Sequence, residues 1–315
     1  MRRAALAGVA ALLVAIIGGC ERTDGPRADP PPAGATATPT SSPTSSPSPT
    51  LSPKPSPSPK PSPKVVPSKA LRTPTYRPLG DKYLVRNKIY SVGEVPSVAC
   101  RLPDIGLRSQ KAVQQYLDAL QDCLQRAWKP VVARAGVKYR SSAVHAVNQG
   151  SKTACGTFGK KDYAYYCPED AGIYLDWDEL VEWEEYGHVA AQVYTQVTMA
   201  HEFGHHVQEL VGISSYYDDR WGEITGPAHL EPMRRHELQA SCFGSAFLGA
   251  NRTPLGLYGE RFQDYLSEAS YGDNPPKTAR DHGSSQSNTR WAEEAFSAES
   301  PSACNTWVAP AEWVS

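Results

Sequence analysis

The chain has 315 residues, and Lys+Arg 32 stand against Asp+Glu 33, so it carries almost no net charge. That balance, with no basic stripe interleaved with aromatics, argues against a nucleic-acid partner. Its 28 prolines and seven cysteines are spread unevenly, and their placement divides the chain.

Arg2 and Arg3 precede an apolar run from Ala4 to Ile17 that closes on Gly18-Gly19-Cys20. The run is shorter than the ~20 apolar residues of a membrane-spanning helix. With small residues before a cysteine, residues 1–19 read as a signal peptide. Ile17-Gly18-Gly19-Cys20 resembles the lipobox of bacterial lipoproteins. That implies cleavage before Cys20, a diacylglycerol on its sulfur and a place on the extracytoplasmic face of the cell membrane; a plain secretory signal is the alternative.

Residues 20–75 form the next unit, and from Pro30 to Lys69 they are almost wholly Pro, Ser, Thr, Lys and Ala. So few apolar side chains cannot offset about 1–2 kcal/mol of backbone entropy per residue, and the prolines favour an extended spacer. The segment reads as a lipid-anchored, disordered stalk. Residues 76–315 are long enough for a domain with its own hydrophobic core.

Setting Cys20 aside leaves Cys100, Cys123, Cys155, Cys167, Cys242 and Cys304. An even remainder outside the cytoplasm reads as disulfides. Local spacing pairs Cys100 with Cys123, Cys155 with Cys167, and Cys242 with Cys304. No CxxC pair occurs, which argues against a cysteine-ligated metal.

In chain order, the apolar pattern from Ala112 to Gly136 predicts a helix broken near Pro130 and tied back by Cys123. Ile173-Tyr174-Leu175-Asp176 alternates apolar and polar residues, as an edge strand does. Val189 to Val211 keeps helical spacing without proline and is followed by Gly212, a C-terminal cap, so it predicts a buried helix. A further helix is expected from Met233 to Ala250. The expected fold is α+β: a mostly helical domain around the last two helices, with a small β-sheet.

The buried helix carries His201-Glu202-Phe203-Gly204-His205. Residues four apart on a helix share a face, so both imidazoles can grip one ion, while Glu202 falls beside that face within reach of a water. Two histidines and a flanking carboxylate on one helix are what zinc-dependent hydrolysis requires. His206 points away from that face and reads as structural. A catalytic zinc has three protein ligands. Three and six residues after His205 stand Gln208 and Val211, so the Gly and His of the extended metzincin motif are missing. The third ligand is therefore expected on the later helix: Glu237, with His236 as its rival.

These residues resemble the neutral zinc metallopeptidases of bacteria, a gluzincin-like group with an HEFGHHVQ-type motif and a later ELQADC-type motif. The resemblance rests on HEFGHHVQELVG at 201–212 and ELQASCFGSAF at 237–247, supported by TACG at 153–156, YYCPED at 165–170, IYLDWDEL after it, and HGSSQSNTRWAEEAF at 282–296. It implies a zincin-like metallopeptidase domain with His201, His205 and Glu237 as zinc ligands and Glu202 as catalytic acid/base. It also supports the Cys155–Cys167 and Cys242–Cys304 pairs. The chain has Ser241 where the family has aspartate. That aspartate would orient a ligand histidine, a task left to the Ser241 hydroxyl or to Asp176 or Asp178.

The expected reaction is hydrolysis of peptide bonds outside the cytoplasm, with zinc-activated water and Glu202 as general base. His282 is the candidate donor to the tetrahedral oxyanion, with Tyr165 and Tyr166 as weaker candidates. In the zinc peptidases that the chain resembles, an edge strand binds extended substrate by backbone pairing. The alternative is a catalytically weak or inactive lipoprotein that keeps the fold as a binding or assembly module, a reading that Ser241 keeps open.

Overall fold

The computed structural model of the chain describes residues 82–160, 162–273 and 280–315. The expected signal peptide, Cys20 and the stalk lie outside the described residues. Among those described, no helix is long and apolar enough to cross a membrane.

Helix α1, Gln110–Arg134, starts where the Ser109 hydroxyl accepts from the Ala112 N–H. It runs unbroken through Pro130, contrary to the sequence expectation. An internal proline costs about 3 kcal/mol. Here Ala127, Trp128, Val131 and Val132, on both sides of it, are buried in the core and outweigh that cost.

Strand β1, Ala143–Val147, is followed by a short hairpin of β2, Lys152–Thr153, and β3, Gly156–Thr157. Strands β4, Ala164–Cys167, and β5, Gly172–Asp176, complete a three-stranded sheet of order β1-β5-β4, with β1 parallel and β4 antiparallel to β5. The segment expected as an edge strand is therefore the central one, and every residue of β5 is buried. Its alternation misleads because its polar groups are satisfied locally. The Tyr174 hydroxyl donates to Asp170 at 2.7 Å, and Asp176 caps the next helix by accepting from the Asp178 N–H at 3.0 Å. The true edges differ from one another. Along β1, Gln114 Nε2 donates to the Val144 carbonyl, its Oε1 accepts from the Ala146 N–H, and Gln110 Nε2 donates to the Ala146 carbonyl. Those side chains occupy the backbone groups that another strand would need, whereas β4 is the opposite edge.

Helices α2, Trp177–Tyr186, α3, His188–Leu210, and α4, Ile213–Trp221, follow, and then α5, Pro227–Ala250, begins with proline in its first turn. Helices α6, Arg252–Leu255, α7, Glu260–Ala269, and α8, Ser285–Ala298, precede short turns that end near Trp313. The architecture is thus mostly helical with a small mixed sheet. The main core gathers α1, α3, α5 and α8, with Trp128 edge-on to Phe243 at 5.7 Å. A smaller cluster of Phe158, Tyr165, Cys167 and Tyr174 sits on the sheet.

Cys155 is bonded to Cys167 and Cys242 to Cys304. The expected Cys100–Cys123 disulfide is not formed, and both residues are buried thiols. They meet through a hydrogen bond instead, which pushes the Cys100 thiol above its ordinary pKa and pulls Cys123 below it. Arg126 Nη2 also donates to Cys123 Sγ at 3.7 Å. The sulfurs are neighbours, as the spacing implied, but they are engaged as donor and acceptor.

Helices α3 and α5 lie antiparallel, and two glycines set their separation. A Cβ on Gly204 would collide with the Ala240 carbonyl, and one on Gly244 would come within 2.9 Å of the Ala200 backbone. Only glycine admits backbones this close. Gly204→Ala should therefore force the helices apart and destabilise the fold by about 1–3 kcal/mol, read as a lower denaturant midpoint at unchanged slope.

Candidate metal centre

The glycine contact brings His201 and His205 on α3 opposite Glu237 on α5. Glu237 lies well inside α5, because that helix starts at Pro227, ahead of the expected start at Met233. Its carboxylate is therefore remote from the helix N-terminus and faces the histidines. His201 Nε2 and His205 Nε2 are 3.2 Å apart, and Glu237 Oε2 is 3.4 Å from the first and 3.2 Å from the second.

The triangle has the dimensions of a metal site: zinc bound tetrahedrally at 2.0–2.1 Å sets its ligand atoms about 3.3–3.4 Å apart, close to the spacing found. The hydrogen bonds behind the rings fit as well. Gln208 Nε2 donates to the His236 carbonyl at 2.8 Å and to Gln239 Oε1 at 3.1 Å, which turns Gln208 Oε1 toward His205 Nδ1 at 2.9 Å. An amide oxygen only accepts, so the His205 proton sits on Nδ1 and Nε2 presents a lone pair. His201 Nδ1 is likewise engaged, 2.9 Å from Ser241 Oγ. The Ser241 hydroxyl can accept from that Nδ1, which leaves His201 Nε2 as a ligand atom beside that of His205. The donor set of two imidazoles and one carboxylate suits zinc.

Ser241 therefore takes the position from which an aspartate would orient His201. Asp176 and Asp178 do not substitute for it: Asp176 caps α2, with its carboxyl pushed up to about 6 by burial, and Asp178 is exposed.

His236, the rival ligand, is turned elsewhere. Its Nε2 is 3.0 Å from Ser214 Oγ, and its ring stacks between His205 at 5.1 Å and Tyr217 at 4.6 Å. It braces His205 and Glu237 from behind. His206 is structural, as expected: Nε2 donates to the Arg140 carbonyl at 2.9 Å, and Nδ1 accepts from the Tyr166 hydroxyl at 3.1 Å. Burial pulls its pKa down to about 4.

Glu202 is buried and, with His201, lines a cavity of about 160 Å³ that His282 also lines. His282 is thus brought to the centre. Its Nδ1 donates to Asp281 Oδ1 at 2.8 Å, and its backbone N–H donates to Asp273 Oδ2 at 2.8 Å. Burial opposes the charge on Asp273, but the bonds from His282 hold its carboxyl below the ordinary value. The loop is pinned by Asn288 Nδ2, which donates to the His282 carbonyl at 2.9 Å, and by Gly283, whose φ of 81° puts its backbone against Leu238. Tyr165 and Tyr166 do not join the site. The Tyr165 hydroxyl is paired with Thr153 Oγ1 at 2.6 Å and that of Tyr166 with His206, while Tyr163, two residues before Tyr165, lines the cavity.

Gln208, Asp281 and Asp273 were not anticipated as partners. Gln208 could have been found, since it lies three residues after His205 on the same helix, where side chains meet.

Comparison with known proteins identifies the family. A profile of the family described as "Putative neutral zinc metallopeptidase" matches residues 94–256, more than half of the chain. The uncharacterized protein YpfJ of Escherichia coli is 27% identical over 194 residues, covering 57% of this chain and 66% of its own length. The chain thus spans just under two thirds of that relative. The uncharacterized proteins Mb2605 of Mycobacterium bovis and Rv2575 of Mycobacterium tuberculosis are each 23% identical over 234 residues, covering 65% of this chain and 74% of their own. No solved structure matches.

Elemental analysis of purified variants checks the ligand set: Glu237→Ala should empty the site, while His236→Ala should keep most of its metal. Ser241→Ala should weaken zinc affinity by roughly 10–100-fold, the usual cost of losing a residue that orients a ligand. Acidification tests His206. Its pKa falls from 6.5 to about 4 on folding, so the unfolded chain takes up the proton first and stability drops as pH falls through that window. His206→Gln should be less stable at neutral pH but show a flatter decline in denaturant titrations across the same range.

Proposed function

Because the chain belongs to the neutral zinc metallopeptidase family, we propose that it hydrolyses peptide bonds at the centre formed by His201, His205 and Glu237. The observation that carries the reading is the triangle of two imidazole Nε2 atoms and one carboxylate oxygen, with buried Glu202 beside it on the wall of a cavity.

Zinc, when bound by these three residues, supplies a Lewis acid that polarises the scissile carbonyl and acidifies water. Glu202 accepts the proton of the attacking water and passes it to the leaving amine. His282, oriented by the bond from Nδ1 to Asp281 and lining the same cavity, is the donor to the developing oxyanion when its ring carries the second proton. Asp281 and Asp273 act as positioning residues that hold the ring and its backbone. Extended substrate pairs with β4, the edge whose Ala164, with the preceding Tyr163, reaches the cavity.

The proposal places the domain outside the cytoplasm, on a lipid attached to Cys20 and behind the stalk of residues 20–75. Ile17-Gly18-Gly19-Cys20 and the composition that follows support it. Cys20→Ala should move the protein from the membrane fraction to the soluble fraction of fractionated cells.

Glu202→Gln should keep bound metal and lose hydrolysis of an unfolded protein substrate by roughly 100- to 10,000-fold, the usual worth of a general base. A chelator should abolish wild-type turnover, and added zinc should restore it. Undiminished turnover by Glu202→Gln would overturn the assignment. A metal-loaded wild type that binds peptides without cutting them would favour the binding-module reading.

A further inference from the structure

The cavity beside the centre follows from the way the two helices meet. On α3, Tyr194, Val197 and Thr198 continue the face that bears His201 and Glu202, and on α5, Gly244, Ser245 and Leu248 continue the face that bears Ser241. Both faces line one cavity. It therefore starts at the candidate ligands and runs away from them along the groove between the helices, and Ala269 and Glu268 of α7 wall its side. At about 160 Å³ it has room for one side chain and not for a dipeptide. A cavity of about 150 Å³ lined by apolar residues takes a benzene ring.

Its walls define what fits. Val197, Leu248 and Ala269 offer apolar contact, with buried Tyr194 beside them. A small substrate side chain would leave these atoms without partners. Three carboxylates, Glu202, Glu268 and Asp273, also face the cavity. A charged side chain entering there would lose its hydration, and a carboxylate would in addition meet Glu268.

Resting on the peptidase reading, we propose that this cavity is the specificity pocket for the side chain next to the scissile bond. It selects a bulky uncharged residue such as phenylalanine or leucine over charged ones, and Glu268 adds to the rejection of aspartate and glutamate.

The test uses quenched fluorescent peptides built on one cleaved sequence. The cut is located by mass spectrometry, and each flanking residue is varied in turn among Phe, Leu, Ala, Lys and Glu. At one of the two positions, kcat/KM should be about tenfold higher for Phe and Leu than for Ala, in the range that a few methylenes command in an apolar pocket, and lowest for Glu. Ala269→Leu, which narrows the cavity, should reduce the Phe peptide about tenfold and spare the Ala peptide. Glu268→Gln, a milder change should the first variant fold poorly, should raise the Glu peptide relative to Phe. Equal cleavage of all peptides, a preference for Lys, or a uniform fall in the variants would overturn the pocket. Binding of the same peptides to Glu202→Gln, followed by fluorescence anisotropy, separates the two claims. The predicted order of binding without any wild-type turnover would uphold the pocket and sink the peptidase reading. Turnover without that order would sink the pocket alone.

Discussion

The contact between α3 and α5 at Gly204 and Gly244 is the constraint on which the centre depends. His201 and His205 can converge from one helix, but a third ligand has to arrive from another, and a side chain as short as glutamate reaches only if the backbones nearly touch. The two glycines sit on opposite helices, each facing an alanine, and so fix both the separation and the register of the crossing. With that register, Glu237 meets the two Nε2 atoms and Ser241 meets His201 Nδ1. The same crossing leaves the groove that becomes the cavity.

Around this contact, neutral groups do the orienting. Gln208 holds His205, Ser241 holds His201, and His236 stacks behind both the second histidine and the glutamate. Carboxylates would bind the Nδ1 protons more strongly and raise the basicity of the rings. The Gln208 amide fixes the tautomer of His205 and the Ser241 hydroxyl orients His201, and neither adds charge beside Glu237 and Glu202.

Much of this was legible in the sequence where periodicity and chemistry coincide. The spacing of His201 and His205 pointed to one face of an apolar helix and the ligand count to Glu237 or His236 on a later one, and the structure brings Glu237 within 3.4 Å of both Nε2 atoms. The failures have physical reasons. The Ile173–Asp176 segment reads as half-exposed because sequence cannot show that Tyr174 and Asp176 satisfy their polar atoms within a few residues. Pro130 looks like a break because its local cost is visible and the burial around it is not. Cys100 and Cys123 are spaced as a bonded pair would be, and their hydrogen bond depends on a geometry that spacing leaves open. Tyr165 and Tyr166 directly precede Cys167 and read as candidates for the chemistry, but their hydroxyls belong to Thr153 and His206. Helix-to-helix partners such as Ser241 and His201 needed the crossing itself.

Residues 301–315 hold on to the same helix that supplies Glu237. Arg235 donates to the Thr306 and Ala309 carbonyls, Gln239 donates to the Cys304 carbonyl, and Arg234 donates to that of Val314. The His282 loop is anchored there too, since the Ser284 N–H donates to the Ser315 carbonyl at 2.7 Å. This segment therefore clamps two walls of the cavity at once, the helix that carries Glu237 and Ser241 and the loop that carries His282, so that loosening it would displace the candidate third ligand and the candidate donor together.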